Sequence, residues 1–132
     1  MLFKLLTYSG LLFTGLSRKD FCNTRNKKDL RGLVEIHHII PQEFRYHPTI
    51  IVSNYNIENG YNLMFLPTSN GGVQLNIHKD RPIHHHGHIK YNKYIEKTLD
   101  DMFREQKTNE YNLCKLNKEL KQNLRHCDIP WT

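Results

Sequence analysis

Apolar positions along the chain fall into short runs divided by polar stretches. Residues 33–40 read Leu-Val-Glu-Ile-His-His-Ile-Ile, a β-branched run stopped by Pro41, which has no N–H to continue a ladder, and they predict a first strand. Residues 61–66 predict a second short strand, closed by Pro67. Between them, residues 42–59 form a mixed segment holding Pro48 and a small apolar run at 50–52, while 68–72 reads as a turn and 73–83 as irregular chain. Residues 90–104 place Tyr91, Tyr94, Ile95, Leu99, Met102 and Phe103 at the spacing of an amphipathic helix. A last helix is expected over 111–125, with Leu113, Leu116, Leu120 and Leu124 on one stripe and Pro130 beyond its end. At about four turns it is short for an independent coiled coil, so the stripe either packs back on the domain or pairs with a second copy as a homodimer.

The start of the chain is less regular. Residues 1–16 are apolar but carry Lys4 and are interrupted by Tyr8, Ser9 and Gly10, too short and polar a stretch to span a bilayer. Two readings stay open: a packing element, with the protein kept inside the cell, or a cleaved signal over residues 1–17, with secretion. Residues 18–31 turn basic and read as loop or fraying helix, either a solvated face or an arm that contacts phosphates.

Composition narrows the class. At 132 residues the chain is one small domain, and 38% hydrophobic residues allow a modest core. Cys22, Cys114 and Cys127 are odd in number and widely spaced, so neither a disulfide framework nor a paired-cysteine zinc site is indicated and free thiols are the simplest reading. The net charge of +6 favours an anionic partner such as nucleic acid or a phosphate-rich surface, and no membrane partner is expected. That excess belongs to the flanks: residues 1–35 carry seven basic and three acidic side chains, 90–132 nine and seven, and 36–89 three of each. The neutral middle holds eight of the nine histidines.

Three features of that middle can carry chemistry. His37 and His38 end the first strand, where adjacent residues point to opposite faces; with the backbone turning at Pro41, one imidazole can ligate a metal while the other accepts a proton from water. His84, His85, His86 and His88 stand just ahead of the long helix, and His84 and His88, at i and i+4, share one face if this stretch is its first turn. A loose His-rich surface tract is the competing reading. Asn62 is placed near the start of the second strand, where its carboxamide can pin the backbone of the loop that carries the His pair.

In this order, Glu35-Ile36-His37-His38-Ile39-Ile40-Pro41, Asn62-Leu63-Met64-Phe65-Leu66-Pro67 and Ile83-His84-His85-His86-Gly87-His88-Ile89-Lys90-Tyr91-Asn92 resemble the AHH family of HNH-type, His-Me finger nucleases. Ile36 stands where that family has Ala, its side chain expected to face away from the site; His86 replaces a common Gly and Ile89 a usual Pro. The resemblance implies an α+β fold, a small ββα-metal core over 33–104 with flanking N- and C-terminal helices, preceded by an apolar segment and basic arm over 1–32 and followed by a helix and tail over 105–132. It makes His37, His84 and His88 the ligands of one divalent metal ion, His38 the general base and Asn62 the residue that orients the base. Three neutral imidazoles suit Zn, Ni, Co or Mn better than Mg. Arg45, Arg81, Lys90 and Lys93 stand near the site in sequence as phosphate contacts or a solvated face, and Tyr91 can stack on or hydrogen-bond a sugar-phosphate. With no recognition module left over, the expected activity is endonucleolytic hydrolysis of DNA with little base readout. The alternatives are an RNase or toxin nuclease of the same fold and a non-catalytic, metal-stabilised nucleic-acid-binding module.

Overall fold

The computed structural model describes residues 17–77, 82 and 88–131. Strand β1, Val34–His38, pairs antiparallel with β2, Leu63–Pro67, in a register that sets His37 opposite Met64 and His38 opposite Leu63. Every residue of β2 is buried, because it is covered on both faces. Its alternation sorts the core into two layers: Leu63 and Phe65 join Phe21, Leu30 and Val34 on one side, while Met64 and Leu66 join the side chains of the two long helices on the other. The same alternation turns His37 and His38 towards different layers.

Helix α1, Arg18–Lys27, forms the first layer. The basic segment is helical here because Ser17 and Asp20 close a capping box at its start, and Phe21 anchors it edge-on against Phe65 with ring centroids 5.2 Å apart. The long helices α4, Ile89–Arg104, and α5, Glu110–Arg125, form the second layer. Tyr91, Ile95, Leu99 and Met102 of α4 and Leu113, Leu120 and Leu124 of α5 are buried in one cluster, with Leu116 packed partly against it. The leucine stripe of α5 thus packs on its own chain.

The connections differ from the sequence expectation in two places. Segment 42–59 holds a 3-10 turn at Gln42–Tyr46 and helix α2, Pro48–Val52, capped by His47, whose Nδ1 accepts from the Thr49 N–H at 3.1 Å. Segment 68–72, expected as a turn, runs instead into helix α3, Ser69–Gln74, capped by Thr68. Gly71 makes that helix possible: a Cβ there would stand 1.7 Å from the Leu33 carbonyl oxygen, so only glycine lets α3 lie against the start of β1. The three cysteines are free thiols, and no helix among the described residues is long and apolar enough to cross a membrane. Residues 1–16, with their two readings, lie outside the described residues.

Candidate active site

The site forms where β1 ends against the start of α4. Tyr91, in the first turn of α4, donates its hydroxyl to the Ile39 carbonyl at 2.5 Å, tying helix to strand end. Burial pushes the Tyr91 phenol far above its ordinary value, so it stays a donor. Tyr91 is completely buried, which corrects its expected role: its hydroxyl is committed to the backbone and does not reach a sugar-phosphate. The first turn of α4 begins at Ile89 with His88 as its N-cap residue, and the expected helical face shared by His84 and His88 falls partly on residues 84–87, outside the described residues.

The Tyr91 bond brings the imidazoles of His37 and His88 together, edge to face with centroids 5.5 Å apart. Two imidazoles bound to one tetrahedral ion put their centroids roughly 5 Å apart, so the pair has the spacing of two metal ligands. Trp131 stacks on His88 at 4.8 Å and lies 5.4 Å from His37. The Nδ1 atom of His88 lies 2.8 Å from the Asn92 Oδ1, and the Nδ2 of Asn92 donates to Glu43. Among the described residues no group of three or more His, Cys, Asp or Glu is arranged to hold a metal ion, and His84, the expected third ligand, lies outside them together with His85, His86 and Arg81.

His38 occupies the other face of the strand end. Its Nε2 lies 3.2 Å from the Glu58 Oε1, a carboxylate that also accepts from Gln42 Nε2 at 2.8 Å. Burial lowers the His38 pKa, and the positive charges of Arg18 and Arg45 act in the same direction against the pull of Glu58. Burial works to raise the Glu58 carboxyl, but the hydrogen bonds from Gln42 and His38 prevail and hold it below the usual range. A concavity of about 160 Å³ is bordered by Ile36, His37, His38, Pro41, Gln42 and His88, so base candidate and ligand pair open onto one space. Ile36 also borders this space, and its side chain packs partly against the Phe21, Leu30 and Phe65 layer.

Asn62 is fully buried as the last residue of a 3-10 turn, Gly60–Asn62, just ahead of β2. Its Oδ1 accepts from the Ile40 N–H at 2.8 Å, and its Nδ2 donates to the carbonyls of Ile40 at 3.0 Å and Ile57 at 2.9 Å. The carboxamide therefore holds the chain just after His38 and that just before Glu58, and the side chain in contact with the His38 ring is Glu58. Glu58, Asn92, Glu43 and Trp131 carry no short-range signal in the sequence. Arg18, at the head of the basic arm, is brought to the site by the bridge between Ser17 and Asn59. Arg45, Lys90 and Lys93 are solvent-exposed on the elements flanking the concavity.

No curated protein and no solved structure matches this chain. Residues 23–126 match the AHH family, described as a nuclease family of the HNH/ENDO VII superfamily with conserved AHH, and this range includes the Ile36-His37-His38 run. The match covers most of the chain and both halves of the site, and the protein belongs to this nuclease family.

Proposed function

We propose that this nuclease hydrolyses DNA phosphodiester bonds with little sequence preference, with His38 as general base. The observation that carries the reading is the shared concavity: His38, held at Nε2 by Glu58, borders the same space as the His37 and His88 pair. A carboxylate only accepts, so the His38 Nε2 carries the hydrogen and Nδ1 keeps the lone pair that takes the proton from water. Asn62 fixes the backbone that aims the ring, as the positioning residue of the strand end. Nucleases of this superfamily generally use a divalent metal. His37, His88 and His84 would hold it, and when bound it supplies positive charge to the phosphate as negative charge grows during displacement. Arg18 and Arg45, whose charges already bear on His38, and exposed Lys90 and Lys93 supply the cationic border that holds the backbone in line.

Plasmid DNA and structured RNA incubated with purified protein, with and without chelator and with Mg, Mn, Co, Ni or Zn added, test this reading. Metal-dependent DNA cleavage that is lost in His38→Ala and His84→Ala is the expected result. Full activity of His38→Ala refutes the base assignment. Cleavage of RNA alone transfers the reading to an RNase, and no cleavage of either substrate with any metal favours a binding module.

A further inference from the structure

The hydrogen-bond chain behind His88 has a direction that its far end decides. Glu43, in the 3-10 turn after β1, presents a carboxylate, which can only accept. The Asn92 atom facing it is therefore Nδ2, and the atom facing His88 is Oδ1, which also only accepts. At 2.8 Å from that oxygen the His88 Nδ1 must carry the hydrogen, and in the neutral ring Nε2 is left with the lone pair. The ring is held in that orientation from two other directions, by Trp131 stacked on its face and by His37 against its edge. Neither Asn92 nor Glu43 is in the core: Glu43 is exposed and Asn92 only partly covered, so their contact contributes little to burial. It does join the 3-10 turn that follows β1, the strand carrying His37, to the first turn of α4, which His88 caps.

We infer that Asn92 and Glu43 are positioning residues of the metal centre, which set the tautomer of His88 and present its Nε2 to a divalent ion. The inference rests on the proposed metal-dependent function. A ligand imidazole whose other nitrogen donates to an oriented acceptor is fixed in angle and made more basic, and loss of such a partner commonly weakens metal binding by about ten- to a hundredfold. Asn92 does this without placing a charge next to the imidazole, while Glu43, one link further away, prevents the carboxamide from flipping and offering its NH2 to His88.

Two measurements on the full chain test it. The first uses the metal-free protein: a long-range 1H–15N spectrum at neutral pH is expected to show His88 as the Nδ1–H tautomer in the wild type, and to lose that signature in Asn92→Ala. The second titrates Zn2+ and Ni2+ against a chromophoric competitor for wild type, His88→Ala, Asn92→Ala, Asn92→Asp and Glu43→Ala, each checked by circular dichroism for an unchanged fold. Asn92→Ala is expected to bind at least tenfold more weakly, Asn92→Asp to retain most of the affinity because its oxygen still accepts from Nδ1–H, and Glu43→Ala to lose several-fold. Wild-type affinity in Asn92→Ala, where His88→Ala is impaired, overturns the inference alone, as does an Nε2–H tautomer of His88 in the wild type. Absence of metal binding by the wild type overturns the metal-centre reading and the inference with it.

Discussion

Replacing Asn62 by alanine separates structural anchoring from chemistry at the strand end. The carboxamide is fully buried and makes three hydrogen bonds to main chain, one from the Ile40 N–H and two to the carbonyls of Ile40 and Ile57. In Asn62→Ala the Ile40 N–H is left buried without this acceptor, at a cost of about 1–3 kcal/mol. The two carbonyls keep other lone-pair directions and add less, so with the small void left behind the total comes to about 3 kcal/mol. A loss of that size is a large fraction of the ~5–15 kcal/mol that holds a domain together, yet leaves it folded at low temperature. Urea denaturation followed by circular dichroism, with the slope unchanged and the midpoint lowered, is the assay. Cleavage measured well below the unfolding transition should fall as well, because the chain carrying His38 loses its anchor. A variant destabilised by less than about 1 kcal/mol but devoid of activity would refute this account, since the side chain would then act on the reaction rather than on the backbone.

Other outcomes follow from single features. Gly71→Ala drives a Cβ to 1.7 Å from the Leu33 carbonyl oxygen and should cost about 2 kcal/mol or more in thermal or urea denaturation, whereas Gly72→Ala, with nothing within 4 Å, should be neutral or stabilising. Burial, reinforced by Arg125, pulls the Lys121 ammonium from the ordinary 10.5 down to about 8, so the folded state releases this proton earlier than the unfolded chain. The resulting cost of about 3 kcal/mol is fully present below pH 8 and vanishes as pH rises towards 10.5. Lys121→Met should therefore be more stable than wild type at pH 7 and lose most of that advantage by pH 10; equal stabilities at pH 7 contradict the burial argument. If Arg18 and Arg45 contact phosphates, their joint replacement by Gln should flatten the logarithmic salt dependence of DNA binding by about two, and an unchanged slope removes them from the interface.

The parts of the fold that were legible in the sequence are those that local pattern decides. A β-branched run ended by Pro41 gives β1, and the stripe of Tyr91, Ile95, Leu99 and Met102 gives α4. Helix α3 was not legible, because Ser69, Asn70, Gly71 and Gly72 are poor helix formers and the helix depends on the Thr68 cap and the close approach to Leu33. Helix α1 was obscured by its polarity, although Ser17 and Asp20 carry a capping signal. Tyr91 shows how one residue type supports two readings: an aromatic with a polar tip serves a core or a substrate equally well, and only the stripe it shares with Ile95 and Leu99 places it inside. In the site, the His pair and His88 stand out by type. Glu58, Asn92 and Glu43 do not, because their contacts join residues 20 to 49 positions apart, or depend on which face a turn presents.

The tie between Tyr91 and Ile39 joins residues 52 positions apart, and it sits in the same cluster as Leu113, Leu120 and Leu124 of α5. Loop closure over such a distance has to be met by packing gained at the same time, and here much of that packing comes from the last helix. During synthesis, then, both imidazoles of the pair are made well before the surface that draws them together. A chain still emerging from the ribosome carries both histidines before α5 is available to complete the cluster that holds Tyr91. For a nuclease, whose substrate class is present in any cell that makes it, the order in which the polypeptide grows is itself a delay on completion of the core.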